Sequence, residues 1–243
     1  MENNINKLES INLTEDYFFA KVMEDSEICK EFLERVLTIK IKELKYINNQ
    51  ETIKNGYDSK GTRLDLYIKD ENGTIYDIEM QRTDSDHIPK RMRYYQSNID
   101  LDNMKKGKRY KELPNSYIIF ICSYDLFGEG RYKYTFEEIC KENHKLALGD
   151  GTKKIVLNTK GILNDVDDEL KELFDYMEKT TLETELKCKS EFVKKIVRKV
   201  KDVREKEGDY LVSMSERFAE VEERAEIKTA IKFAINIIKM GMN

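Results

Sequence analysis

The chain has 243 residues, 40% of them hydrophobic and 37% charged, with 11 Gly, 2 Pro and a mean hydropathy of -0.69; this balance excludes collagenous, low-complexity and membrane-embedded chains and indicates a globular protein. No run reaches the roughly 18 apolar residues of a membrane span, and Met1-Glu2-Asn3-Asn4 opens a polar N-terminus, so a cytoplasmic protein without membrane association is expected. The net charge of -4 excludes nucleic-acid binding by bulk attraction and leaves only local basic surfaces.

Residues 14 to 37 begin with Thr14, Glu15 and Asp16 as capping candidates and continue with Phe18, Phe19, Val22, Met23, Ile28, Phe32, Leu33, Val36 and Leu37 at helical spacing, which predicts one or two amphipathic helices. From Ile41 to Thr52 the pattern fits a helix end or a strand. Arg63 to Lys69 alternates, with Leu64, Leu66 and Ile68 on one side and Arg63, Asp65 and Tyr67 on the other, and Thr74 to Gln81 alternates again. The turn signal Asp70-Glu71-Asn72-Gly73 joins the two runs into a hairpin. Residues 86 to 106 read as a helix with Pro89 in its first turn, and Tyr117 to Cys122 is a short apolar run suited to a strand covered on both faces. After Gly161 the spacing is helical throughout. Leu211, Met214, Phe218, Val221 and Ala225 form a seam that can pack on the same chain or join two chains in a homodimer.

Cys29, Cys122, Cys140 and Cys188 show no CxxC spacing, so reduced thiols are expected, and Cys140 with His144 provides too few ligands for a zinc site. Phe120, Phe127, Phe136 and Phe174 read as core residues. Gly128-Glu129-Gly130 is no phosphate loop, and His87 and His144 stand beside no recognisable nucleophile.

The hairpin carries the chemistry, because Asp77, Glu79 and Gln81 share one face of its second strand. Whether Asp65 joins them depends on register. A three-residue loop Glu71-Asn72-Gly73 pairs Asp70 with Thr74 and sets Asp65 opposite Glu79, whereas a two-residue Asn72-Gly73 loop sets Asp65 opposite Met80 and disperses the group. In the first register, two carboxylates face each other across a ladder at a cost of up to roughly 1 kcal/mol. A divalent cation between them would offset that cost and could hold a phosphate oxygen and activate water for phosphodiester hydrolysis. The alternative is a solvated strand face.

The string Leu13-Thr14-Glu15-Asp16-Tyr17-Phe18-Phe19-Ala20-Lys21-Val22-Met23, followed by Arg63-Leu64-Asp65, Asp77-Ile78-Glu79-Met80-Gln81 and Pro89-Lys90-Arg91-Met92-Arg93-Tyr94-Tyr95-Gln96, resembles the PD-(D/E)XK nuclease family transposases, also called the recombination-promoting nuclease family. Ile119-Phe120-Ile121-Cys122, Asp125-Leu126-Phe127-Gly128 and Leu157-Asn158-Thr159-Lys160-Gly161 continue the match in order. The resemblance implies an α/β protein with a restriction-endonuclease-like core, a mixed central sheet flanked by helices, over residues 1–161 and a helical C-terminal region over 162–243. It implies a metal-dependent DNA endonuclease serving recombination or transposition. Asp65 and Glu79 match the catalytic acids and Mg²⁺ or Mn²⁺ ligands, and Gln81, the third catalytic candidate, stands where the wider superfamily carries Lys and is expected to position water or the scissile phosphate. An amide there keeps hydrogen bonds but supplies no cation. Asp16 is the candidate for a further metal-binding acid, against the simpler role of helix cap. A nuclease-fold module that binds nucleic acid or protein without cutting, and oligomerises through its C-terminal helices, is the alternative function.

Between His87 and Lys111, eight Lys and Arg residues face two Asp residues. Lys90, Arg91, Arg93 and Tyr95 are the candidate DNA contacts in that stretch. Lys187 to Lys206 is a second basic stretch, with nine basic residues against three acidic.

Overall fold

The structure is a computed structural model that describes residues 8, 10–53, 62–83 and 87–239. The predicted N-terminal helical segment is two helices, α1 (Asp16–Met23) and α2 (Ser26–Leu37), the second capped by the Asp25 carboxylate accepting from the Glu27 and Ile28 N–H groups. Asp16 is not the cap of α1; Glu15 occupies that position, makes no side-chain cap bond, and leaves Asp16 as the first helical residue. The ambiguous stretch is strand β1 (Leu44–Ile53). The hairpin follows as β2 (Thr62–Asp70) and β3 (Ile75–Gln81), then α3 (Ile88–Asn103) and β4 (Ser116–Cys122). Residue 86, the expected start of α3, lies outside the described residues.

Two strands were not expected from the sequence, β5 (Lys133–Phe136) and β6 (Thr152–Asn158). They complete a six-stranded sheet of order β1-β2-β3-β4-β6-β5. β2 runs antiparallel to both β1 and β3, β3, β4 and β6 run parallel, and β5 returns antiparallel on β6. Such a mixed sheet between helical layers is the restriction-endonuclease-like architecture that the sequence implied.

One face of the sheet presents Leu66, Ile68, Tyr76, Ile78, Met80, Ile119 and Ile121 to α1, α2 and the C-terminal helices α4 (Asp168–Glu178) and α6 (Glu191–Lys239). Phe18, Phe32, Phe174 and Phe192 fill that layer and are fully buried, each contributing about 1.5–3 kcal/mol. Between α4 and α6 runs the short helix α5 (Leu182–Lys187). The other face packs Ile75, Ile118, Phe120 and Val156 against Ile88, Met92 and Ile99 of α3. Helices on both sides of Gly161 therefore share one core.

Phe120 and Phe174 are core residues as expected, but Phe127 and Phe136 are 38% and 45% exposed. Their rings meet at 5.2 Å, tilted by 54°, at the edge strand β5. Of the C-terminal seam, Leu211 is buried on its own chain, Met214 is half-buried, and the side chains of Phe218, Val221 and Ala225 lie outside the described residues. Among the described residues, no helix is long and apolar enough to cross a membrane.

Candidate active site

The hairpin register decides the site, and the turn decides the register. The Gly73 N–H donates to the Asp70 carbonyl and the Asp70 N–H to the Thr74 carbonyl, each at 3.1 Å, with Gly73 left-handed at φ +79°. The Asp70 carboxylate locks this loop by accepting the Asn72 N–H at 2.9 Å, the Thr74 N–H at 2.9 Å and the Tyr76 hydroxyl at 2.8 Å. This is the three-residue loop, and the pairs Lys69–Ile75, Ile68–Tyr76, Tyr67–Asp77 and Leu66–Ile78 follow from it.

One step further, the regular ladder ends and side chains replace it. The Asp65 N–H donates to Glu79 Oε1 at 2.8 Å, and the Met80 N–H donates to Asp65 Oδ2 at 3.2 Å. Here β2 peels away from β3. Leu64, which strict alternation groups with Leu66 and Ile68, accordingly packs with the α3-side cluster instead.

This opening lies at the end of β3 between the helical layers, a cavity of about 210 Å³ lined by residues of the α1 start, β2, β3 and α3. Asp16, Asp65, Glu79, Gln81, Arg91 and Tyr95 all border it. Asp77 and Glu79 are 0% and 2% exposed, so the polar face of β3 is not the solvated surface that the sequence also allowed. Asp77 Oδ1 and Oδ2 receive no bond from any N–H or O–H donor among the described residues. Its polar neighbour is the Glu79 carboxyl, and two carboxyls can bond only by sharing a proton.

The electrostatics follow from burial and crowding. Burial, then Asp65 and Glu15, push Asp16 up to about 7, against the pull of Arg82. Burial pushes Asp65 up to about 6, opposed by the Met80 N–H, Arg91 and Arg63. Glu79 stands well above the usual carboxylate range through burial, then Asp77 and Asp65, and Asp77 does so through burial and Asp65. Burial and mutual repulsion thus hold all four carboxyls above the usual carboxylate range, against the pull of the neighbouring Arg side chains.

Arg91 Nη1 donates to Gln81 Oε1 at 2.6 Å, and Arg91 Nη2 reaches Glu79 Oε2 at 3.4 Å and the Tyr95 hydroxyl at 3.1 Å. Its guanidinium lies over the Phe120 and Tyr95 rings at 5.1 and 5.5 Å. Gln81 Nε2 donates to the Thr83 carbonyl at 2.7 Å, so both ends of the amide are held. Lys90 and Arg93 are exposed on α3; Arg93 borders a different cavity, with Met92, Phe127, Phe136 and Lys154. Of the four candidate DNA contacts, Arg91 and Tyr95 thus turn into the acidic cavity, while Lys90 and Arg93 do not line it.

The sequence did not single out Arg63, or Arg82 with its Glu15 partner, at the cavity rim. The basic residue directly after the Glu79-Met80-Gln81 run is the signal that could have raised Arg82. Nor did it foresee that the C-terminal helices set the start of α1. The Thr180 hydroxyl accepts the Leu13 N–H at 2.7 Å, Arg204 donates to the Ile11 and Thr180 carbonyls at 3.0 and 2.9 Å, and the Tyr17 hydroxyl donates to Glu207 at 2.7 Å.

A family model described as PD-(D/E)XK nuclease family transposase matches residues 13–230. The chain belongs to this family. Searches of curated proteins and of solved structures return no match. The family match extends past residue 161 into α6, in keeping with the shared core, and supports a nuclease-type function, for which the family implies a DNA substrate; PD-(D/E)XK nucleases generally use divalent metals. Among the described residues, no group of three or more His, Cys, Asp and Glu side chains is disposed to enclose a metal ion. A divalent metal of the Mg²⁺ type would instead occupy an open site. This ion is held by one or two carboxylates, with water and phosphate completing its shell, and Asp65 and Glu79 offer hard oxygen donors beside a cavity.

Proposed function

We propose that the protein is a Mg²⁺- or Mn²⁺-dependent DNA endonuclease that hydrolyses phosphodiester bonds in recombination or transposition. The observation that carries this is the pair of bonds by which Asp65 and Glu79 replace the ladder at the mouth of the cavity. They fix two carboxylates of opposite strands at one place, where like charges repel unless a cation lies between them. Asp65 and Glu79 would hold the metal, with Asp16 as a third acid on the same cavity. When bound, the ion supplies a Lewis acid for the phosphate and lowers the pKa of water. Gln81, fixed at both ends of its amide, orients the polar groups of the mouth. Lys90 and Arg93, exposed on α3, would attract the DNA backbone.

The test is nicking of supercoiled plasmid at low salt, where electrostatic binding is strongest, with Mg²⁺, with EDTA, and with Glu79→Ala. Nicking by wild type should vanish with EDTA and fall at least about 1,000-fold in the variant, the scale of losing a group essential to the transition state. Equal nicking by wild type and Glu79→Ala would sink the assignment. Plasmid binding without cleavage in Mg²⁺ or Mn²⁺ would favour the non-catalytic module.

A further inference from the structure

We propose that Arg91 is the built-in cation of this site and that Gln81 is its tether, so that the pair does jointly what a single lysine at position 81 could do. The inference rests on the nuclease reading and deepens it by assigning the source of positive charge. Four carboxyl-bearing residues, Asp16, Asp65, Asp77 and Glu79, act on one another here, and the β3 residue at the mouth, Gln81, carries no charge. Arg91 is the guanidinium bonded to both Gln81 and Glu79.

Its environment differs from that of a mobile phosphate-binding arm. Three side chains, from β3 and from one turn further along α3, take its hydrogen bonds, and it lies over two aromatic rings. Tyr95 is four residues on along α3, so the helix itself presents the ring and hydroxyl to the guanidinium. Phe120 comes from β4, which pairs with β3 so that Phe120 stands beside Glu79. A charge fixed in this way needs no reorganisation when a phosphoryl oxygen gains negative charge, which is the condition for efficient electrostatic stabilisation. Lys90 and Arg93, exposed on the same helix, lack that fixation. Arg91 also acts through its neighbours, orienting the Gln81 amide and the Glu79 carboxylate.

This assignment makes two opposite predictions for Arg91→Met, which keeps an unbranched apolar stem against the rings. Plasmid nicking should fall at least about 100-fold, as for loss of a preorganised donor, with plasmid binding in Ca²⁺ changed by less than about threefold, the loss of a single phosphate contact or none. Mn²⁺ binding to the DNA-free protein, read by calorimetry at pH 7.5, should tighten at least about fivefold, because a positive charge beside the carboxylates is removed. A merely structural role would weaken both. Gln81→Lys in the Arg91→Met background should restore nicking at least about tenfold by returning a cation to the mouth. Failure of that rescue, or a parallel loss of cleavage and DNA binding, would overturn the inference. If wild type nicks and Arg91→Met nicks equally, the inference fails alone. If wild type does not nick, the nuclease reading fails, and the Mn²⁺ comparison decides Arg91: unchanged, weaker or absent binding overturns it.

Discussion

Asp70 and Asp77 are both buried aspartates of one hairpin, and their surroundings are opposite. Asp70, 5% exposed, receives three hydrogen bonds, two from the turn that it closes and one from Tyr76 of β3. Asp77, fully buried, receives none from any N–H or O–H donor among the described residues and sits against the Glu79 carboxyl. Burial of a carboxylate is costly unless donors replace water. At Asp70 the cost is offset locally and the result is a fixed register; at Asp77 it is left standing, and the consequence is a cluster of proton-holding acids around the site. The turn end of the hairpin is built for stability, the open end for chemistry.

Substitution should separate the two ends. Asp70→Ala leaves the Asn72 and Thr74 N–H groups and the Tyr76 hydroxyl without their acceptor, which should cost about 3 kcal/mol, measured as a lower urea midpoint. Asp77→Asn removes a carboxyl from a crowded cluster, so in metal-free protein at pH 8 its midpoint should equal or exceed that of wild type. If Asp77→Asn is destabilised as much as Asp70→Ala, the contrast between the two ends is wrong.

Acidity gives the next effect. Asp16 and Asp65 rise from 3.8 to about 7 and about 6, so between pH 4 and 7 the folded protein binds more protons than the unfolded chain. Stability from these groups is fully present below the unfolded value and is lost as pH rises through the folded values. Metal-free protein should therefore lose on the order of 3 kcal/mol between pH 5 and 8, allowing for mutual coupling and the solvent in the cavity. Thermal melts with EDTA read this slope, and saturating Mn²⁺ should flatten it. A midpoint rising from pH 5 to 8 in EDTA would contradict the raised acid values.

Much of this was legible in the sequence because it is local. The hairpin, the turn chemistry of Asp70 and Gly73, Pro89 at the start of α3 and the apolar run of β4 all follow from short-range pattern. The choice between two registers was not legible, since both loop lengths satisfy the alternation; the bonds to Asp70 decide it. β5 and β6 escaped notice because one is four residues long and the other opens with Thr152-Lys153-Lys154, leaving Ile155-Val156-Leu157 too short to mark a strand. Arg91 read as a DNA contact from its place in a basic stretch; only the crossover β3–α3–β4, which sets Phe120 beside Glu79, turns it inward. The Arg91 and Tyr95 spacing of four on one helix face was the available hint.

The smallest effect sharpens the same comparison by asking which part of the turn holds the register. Gly73 adopts φ +79° with no heavy atom within 4 Å of where a Cβ would sit, so Gly73→Ala pays only for backbone conformation, about 1 kcal/mol. The three bonds to the Asp70 carboxylate survive that change, because two come from backbone N–H groups of Asn72 and Thr74 and the third from Tyr76. Cleavage by folded Gly73→Ala should then stay within about twofold of wild type, since a register slip would instead disperse Asp65 from Glu79 and abolish it. Loss of cleavage with an intact melt would mean that the glycine, and not Asp70, keeps the carboxylates together.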